Sequence, residues 1–139
     1  MLAMQDPLPK LPGYALRRAA NATAAELSTR LAELGLKQSE ASVLILVGAN
    51  PRVTASALGR ALDIQRANMV PLLNKLETAG LIERVAIDGK SRGLELTALG
   101  RQRLGQARKV IDAFENELLE RVPLQHRPHL LPALEALWR

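Results

Sequence analysis

The segment from Thr54 to Gly80 carries two short helical patterns in succession. Thr54 is a residue type that caps helix N-termini, and Leu58 and Leu62 repeat behind it at helical spacing. After a turn at Asp63-Ile64, apolar residues recur at i, i+3, i+4 and i+7 and share one helix face: Met69, Leu72, Leu73 and Leu76. Gly80 stands where a glycine commonly ends a helix. A helix pair alone is common, so the segment that follows it decides the fold.

A charged hairpin follows the helix pair. Its two extended runs are LIERVAI and KSRGLELT, and Asp88-Gly89 lies between them. This dipeptide predicts a tight type I′ turn, because both central residues of that turn need a positive φ. Two helices followed by a basic hairpin predict a winged helix-turn-helix, a fold that is mainly α with a small β-hairpin wing. The second helix then turns six residues away from the core: Arg66, Ala67, Asn68, Val70, Asn74 and Lys75.

The charge of the chain favours a polyanionic partner. Nineteen Lys and Arg residues against fourteen Asp and Glu give a net charge of +5. The absence of cysteine excludes disulfides, thiolate metal sites and thiol-based sensing. No apolar run is long enough to span a membrane, and the start, MLAMQDPLPKLPG, lacks the regions of a signal peptide. We therefore expect a cytoplasmic protein.

The sequence offers little catalytic or metal-binding chemistry. His126 and His129 are three residues apart and could share a helix face, but no clear third ligand accompanies them. No arrangement of serine, histidine and acid stands out, and there is no phosphate-binding loop. We therefore expect no enzyme activity, no metal and no cofactor.

Helices are predicted on both sides of the central pair. They run from Tyr14 to Leu34, from Ser39 to Ala49, between Thr97 and Pro123, and from Pro128 to Trp138. The proline-containing start is predicted to be an extended arm. Pro128 and Pro132 leave the first residue of the last helix open, because proline fits only the first helical turn.

The outer helices carry more apolar surface than a small central unit can cover. Residues 1–139 are therefore predicted to form one domain, in which 1–35 and 98–139 form a helical dimerisation region and 36–97 bind DNA. The alternative is that the outer helices fold back on their own subunit. The candidate dimerisation residues are Leu11, Tyr14, Ile111, Phe114, Leu118, Leu130, Leu131, Leu134, Leu137 and Trp138.

The order of these patterns resembles the MarR family of bacterial transcriptional regulators over nearly the whole chain. The likeness rests on LPGYALRRAANATAAELSTRLAELGL, ALGRALDIQRANMVPLLNKLETAGLIER and DGKSRGLELTALG. Its most specific parts are Leu76 to Arg84 and Leu96 to Gly100. The resemblance implies a homodimer with six helices per subunit that binds a pseudo-palindromic operator. It also implies repression of nearby genes and release by a small effector, often aromatic.

The candidate DNA contacts divide by chemistry. Arginine pairs with guanine and asparagine with adenine, which favours Arg66 and Asn68 for base edges. Ala67 and Val70 could contact thymine methyl groups, and the α-helix start at Thr54 suits a phosphate. The resemblance implies that Arg92 enters the minor groove while Asp88 orients neighbouring basic groups. The full candidate set is Thr54, Ala55, Ser56, Gln65, Arg66, Ala67, Asn68, Val70, Pro71, Asn74, Lys75, Arg84, Lys90, Ser91 and Arg92, with Asn74 and Lys75 assigned to phosphate.

Pro71 leaves two starts open for the second helix. If the helix starts at Arg66, Pro71 lies in the second turn and opposes the carbonyl of Ala67. If Asn68 caps a helix that starts at Met69, Pro71 lies in the first turn at little cost.

Two functional questions stay open at this stage. A winged-helix protein-interaction module without DNA binding, and an activator or architectural DNA binder, both remain alternatives to a repressor. Tyr14, Arg17 and Arg18 could face an effector pocket, although the two arginines could equally form surface pairs.

Overall fold

The computed structural model describes residues 3–139, which contain six α-helices and one two-stranded sheet. In chain order the elements are α1 (Pro12–Ala32), α2 (Gln38–Ala49), α3 (Ala55–Leu62), α4 (Arg66–Thr78), β1 (Ile82–Ala86), β2 (Arg92–Leu96), α5 (Ala98–Arg121) and α6 (Arg127–Glu135). Short 3-10 turns lie at Leu8–Lys10 and Leu124–His126. The predicted fold class, mainly α with a small hairpin, is confirmed.

The chain forms two compact units. The central unit is Ser28–Val110, and the terminal unit consists of Met1–Leu27 together with Ile111–Arg139. Met1 and Leu2 lie outside the described residues. Both α1 and α5 contribute to the two units, whereas the predicted dimerisation and DNA-binding regions are bounded at helix ends.

The central unit encloses an aliphatic core. Its fully buried large side chains are Leu31, Val43, Leu44, Leu58, Leu73, Leu76 and Ile82. In α4 the stripe predicted from spacing faces this core, because Met69, Leu73 and Leu76 are buried and Leu72 is half-buried. The remaining residues of α4 are exposed, as the spacing predicts.

The segment that ends α4 and the first turn of α5 pack closely together at the Leu81 carbonyl. Gly80 has a φ of +76° and Leu81 N–H donates to the Leu76 carbonyl at 3.0 Å, which closes α4 in the manner expected for a C′ glycine. Thr97 caps α5, accepting from Gly100 N–H at 3.0 Å. Gly100 approaches the Leu81 carbonyl so closely that a Cβ there would overlap it. The Leu-Thr-x-x-Gly pattern is therefore a packing requirement.

An isolated β-bridge supports the hairpin. β1 and β2 pair antiparallel from Ile82 opposite Leu96 to Ala86 opposite Arg92. Leu94 N–H also donates to the Val53 carbonyl at 2.8 Å, so the residue just before α3 bridges to the hairpin. The sequence analysis missed this bridge, because one isolated residue has no periodicity.

The predicted two-residue type I′ turn is wrong. Residues 87–91 form a wider loop, closed by Ile87 N–H donating to the Ser91 carbonyl at 3.0 Å. Gly89 does not adopt a positive φ. Instead the Asp88 carboxylate accepts from Ser91 N–H at 2.9 Å and from Lys90 N–H at 3.2 Å. The aspartate side chain supplies the hydrogen bonds that stabilise the loop, so a left-handed glycine is not required.

The bounds of α1 and α6 differ from the prediction. α1 starts at Pro12 because proline suits the first helical position, so residues 3–7 and Leu11 are the described part of the predicted extended arm without helical structure. It ends at Ala32, and Gly35 follows with a φ of +69°. α6 ends at Glu135 rather than Trp138 and contains Pro132. Single hydrogen-bonded turns continue beyond it to Arg139.

Candidate nucleic-acid interface

The candidate DNA-binding residues lie on three elements of the central unit. They occupy the first turn of α3 with its cap, the outward face of α4, and the hairpin. All of them are exposed except Thr54 and Ala55, which are half-buried. The structure therefore presents the predicted residues at the surface, where a duplex could contact them.

The start of α4 decides between the two alternatives for Asn68. α4 begins at Arg66, with Gln65 extended before it. The N–H groups of Asn68 and Met69 both donate to the Gln65 carbonyl, at 2.9 and 3.0 Å. The alternative in which Asn68 caps the helix is wrong, because Asn68 is already helical. Arg66 and Asn68 thus both lie in the first turn with exposed side chains.

Pro71 lies inside α4. It has no N–H to donate to the Ala67 carbonyl, so the helix loses one hydrogen bond on its exposed side. Val70 is 49% exposed beside it. Ala67, Val70 and Pro71 make the middle of the outward face apolar, which suits contact with thymine methyl groups and leaves few polar groups there.

The first turn of α3 is arranged for an anion. Thr54 accepts from Ala57 N–H at 3.2 Å and so caps the helix as predicted. The N–H groups of Ala55 and Ser56 belong to the first turn, which has no intrahelical partners for them. Such N–H groups favour a phosphate oxygen.

Two candidate DNA-binding residues are hydrogen-bonded within the protein on one flank of α4, and one of them, Asn74, was predicted to contact phosphate. Arg84 on β1 donates from Nε to Glu77 Oε2 at 2.9 Å and from Nη2 to Asn74 Oδ1 at 3.3 Å. Both Glu77 and Asn74 belong to α4. Arg84 and Asn74 therefore join the hairpin to the helix.

Lys75, the other residue of α4 that was predicted to contact phosphate, forms an ion pair on the other flank. Lys75 Nζ lies 3.3 Å from Glu40 Oε2. Glu40, on α2, is buried. The Glu40 carboxylate thus compensates the positive charge of Lys75. Sequence spacing could not predict this pair, because the two residues lie on different helices.

The hairpin tip presents its own basic groups. Lys90, Ser91 and Arg92 are exposed there. The backbone N–H groups of Ser91 and Lys90, which donate to Asp88, hold the pKa of that carboxyl below its ordinary value of 3.8. Asp88 therefore orients the backbone that carries the basic side chains, which refines the predicted role.

The terminal unit leaves half of its candidate dimerisation residues exposed in one chain. Leu131 is 64% exposed and Trp138 is 72% exposed, and Leu11, Leu134 and Leu137 are exposed as well. Tyr14, Ile111, Leu118 and Leu130 are half-buried. Phe114 differs, because it is only 4% exposed and has little surface left to bury against a second copy.

The terminal unit also contains a small cleft near its N-terminal turn. It measures about 360 Å³ and is lined by Asp6, Pro9, Tyr14, Ala15 and Arg18. The Arg18 guanidinium carbon lies 5.9 Å from the centre of the Tyr14 ring, within cation–π range. Arg17 is exposed. The cleft thus combines one aromatic ring with one cation.

The two histidines are exposed near the start of α6, and residues 3–139 contain no cluster of three or more side chains suited to hold a metal ion. Within the same residues, no helix has both the length and the apolar character needed to cross a bilayer.

Comparison with known proteins identifies the family. The MarR family profile matches residues 34–93. The HTH-type transcriptional repressor Rv2887 of Mycobacterium tuberculosis is 31% identical over 127 residues, which are 90% of this chain and 91% of that protein. The chain belongs to the MarR family. Every candidate DNA-binding residue lies within the span that the MarR profile matches.

Solved MarR structures resemble the whole chain. The repressor CouR bound to a 23-mer DNA duplex is 32% identical, with a TM-score of 0.90 and coverage of 100% of both chains. CouR bound to p-coumaroyl-CoA gives a TM-score of 0.86 at 32% identity and covers 99% of both chains. Rv2887 in complex with salicylic acid gives 0.72 at 31% identity, covering 98% of this chain and 99% of that one.

Two arginines of this MarR protein lie near the candidate interface but were not among the DNA-binding residues predicted from the sequence. Arg60, in the last turn of α3, lines a cleft of about 600 Å³ together with Arg66 and Arg84. Arg52 precedes α3 with a φ of +57°, and its Nε lies 4.0 Å from Glu95 Oε1. Arg60 could have been recognised as an outward position of α3. The place of Arg52 depends on Gly93, whose missing Cβ leaves room for the Arg52 backbone.

Proposed function

We propose that this chain is a dimeric, sequence-specific DNA-binding repressor of transcription whose binding is released by a small ligand. The observation that carries the proposal is the exposed basic face formed by α3, α4 and the hairpin. It is supported by full-length similarity to a repressor that has been solved on a DNA duplex. Such a regulator works beside DNA, so we place it in the cytoplasm.

In the proposed complex, α4 is the recognition helix and enters the major groove. Arg66 and Asn68 reach base edges from the first turn, since both are exposed and helical. Each good bidentate contact gives about 1–3 kcal/mol of discrimination between bases. With so few polar groups on the outward face, contacts to phosphate supply most of the affinity.

The hairpin is the wing of the proposed complex. Arg92 follows the loop that Asp88 stabilises, and its guanidinium has the flat shape that a narrow minor groove accepts. Lys90 is a compact charge at the same tip and suits phosphate. The first turn of α3 contacts phosphate on the other side of α4 through N–H groups of Ala55 and Ser56.

The proposed dimer is formed by the terminal unit. Four of its exposed apolar residues lie close together in sequence on α6 and the turns that follow it: Leu131, Leu134, Leu137 and Trp138. A second copy would bury this apolar surface, and two-fold symmetry would then place two copies of α4 about 34 Å apart, in successive major grooves.

The proposed effector is an aromatic acid or its coenzyme A thioester. CouR has been solved with p-coumaroyl-CoA and Rv2887 with salicylic acid. In this chain the cleft near Tyr14 and Arg18 offers a ring and a guanidinium, which match an aromatic carboxylate or a phosphate.

Fluorescence anisotropy with a duplex selected from a randomised library tests the proposal. The observed binding constant should fall steeply with salt, since each neutralised phosphate contributes a slope of about −0.9. Added p-coumaroyl-CoA or salicylate should release the duplex. A flat salt response would favour a protein-interaction module, whereas salt-dependent binding with no preferred sequence would favour an architectural DNA binder.

A further inference from the structure

The sequence analysis predicts that Lys75 contacts phosphate, yet its ammonium forms an ion pair within the protein. Its Nζ lies 3.3 Å from Glu40 Oε2, while its side chain stays 58% exposed. A long lysine stem commonly covers a surface in this way with its charge at the edge. A charge already paired releases fewer counterions from DNA than a free one, so Lys75 is a poor phosphate contact.

Glu40 is the buried partner in this pair. It is the third residue of α2, and its Oε1 accepts from Lys37 N–H at 2.8 Å. A carboxylate at the start of a helix is stabilised by the helix dipole and by this hydrogen bond. Its second oxygen is satisfied by Lys75, which belongs to α4. One buried carboxylate therefore ties the beginning of α2 to the second half of α4.

The opposite flank of α4 is tied in the same way. Glu77 and Asn74 accept hydrogen bonds from Arg84 on β1. The second half of α4 is thus held from two sides, toward α2 and toward the hairpin. Its first half carries the exposed residues Arg66 and Asn68, which the proposed function directs into the major groove.

We propose that Glu40 is a positioning residue for DNA binding: through Lys75 it fixes the orientation in which α4 presents its first turn to the duplex. The proposal rests on the DNA-binding function proposed above. Neither residue then contacts DNA itself. Loss of their ion pair loosens the recognition helix and weakens binding without removing a phosphate contact.

Glu40→Gln removes the ion pair and leaves the helix cap in place, so it tests the ion pair alone. Glutamine still accepts from Lys37 N–H, so the cap of α2 is retained while the charge is lost. Lys75→Met removes the other partner and keeps the stem, and Lys75→Arg restores the charge. Glu33→Gln and Lys109→Met serve as controls, because each removes one exposed charge elsewhere in the chain.

The measurements are duplex affinity as a function of salt and hydrogen exchange of the free protein. Glu40→Gln and Lys75→Met should each lower affinity about three- to tenfold with an unchanged salt slope, and the double variant should lose no more than either single one. Both should raise exchange in residues 66–78. Lys75→Arg and the two controls should stay within about twofold of the wild type.

Three results would overturn the proposal. If Lys75→Met lowered the salt slope by about 0.9 while Glu40→Gln had no effect, Lys75 would be a phosphate contact. If Glu40→Gln lowered only the melting temperature and left duplex affinity unchanged, the ion pair would stabilise the fold without positioning α4. If exchange in residues 66–78 stayed at the wild-type rate, the pair would not position α4. Failure of the wild type to bind any duplex would instead remove the proposed function, and the exchange data would still report on the pair.

Discussion

The two units of the chain differ in how completely they bury their apolar residues. The central unit, Ser28–Val110, encloses leucines and valines from four helices and the hairpin. In the described part of the terminal unit, Phe114 is the one buried apolar side chain, while leucines and Trp138 on and after α6 are exposed. One unit is complete within a single chain. The other has the surface of a fold that a second copy completes.

The two largest expected effects distinguish the units. A substitution in the central core lowers the stability of each chain, whereas a substitution on the apolar face of the terminal unit weakens the dimer, which depends on protein concentration. Leu73→Ala opens a cavity in the central core and should lower the free energy of unfolding by about 2–5 kcal/mol. Leu131→Asp places a charge on the exposed apolar face and should instead raise the dimer dissociation constant. Chemical denaturation at several concentrations and sedimentation equilibrium measure the two quantities. A destabilised monomer core in Leu131→Asp would contradict the distinction.

Pro71→Ala should stabilise the central unit. The alanine N–H restores the hydrogen bond to the Ala67 carbonyl and removes the clash of the ring, for a gain of about 1–3 kcal/mol. Thermal unfolding measures the change, with Ala67→Ser as a nearby surface control. A lower melting temperature would contradict the prediction and show that Pro71 stabilises the protein at this position in α4.

Arg92→Ala should weaken duplex binding and leave the dimer mass unchanged, because Arg92 belongs to the central unit and is not one of the candidate dimerisation residues. We expect a loss of about 1–2 kcal/mol for one charged groove contact. Anisotropy and light scattering on the same sample make the comparison, and Lys10→Ala is a control in the terminal unit. An unchanged affinity would remove the wing from the mechanism.

The smallest effect concerns the wing loop and pH. The N–H groups of Ser91 and Lys90 lower the pKa of Asp88, so its ionised form stabilises the folded loop. That contribution is present above the ordinary pKa of 3.8 and is lost as pH falls through the lowered value. An NMR titration of the Asp88 carboxyl carbon should give a midpoint below 3.8. A midpoint at or above it would show that the loop does not hold the carboxylate.

The sequence was sufficient for features that repeat or that depend on a local residue type. Helical spacing placed the buried stripe of α4, and Thr54, Gly80 and Thr97 marked helix ends through their capping chemistry. These signals are local, so one chain segment carries all the information. The order of the elements predicted in this way then supported the likeness to the family.

What the sequence did not reveal depends on contacts between distant residues. Glu40 and Lys75 are 35 positions apart, and the Val53 bridge to Leu94 spans 41, so no spacing rule connects them. The turn at Asp88-Gly89 was mistaken for a different reason. Two local solutions compete there, a left-handed glycine or an aspartate side chain that accepts backbone hydrogen bonds, and the second one is adopted.

The most direct test of the account is the stoichiometry of the protein on DNA. Sedimentation of the protein at micromolar concentration, alone and with the selected duplex, should give a dimer and then two chains on one duplex. A monomer in solution together with one chain per duplex would contradict the claim that the terminal unit pairs two copies of the recognition helix.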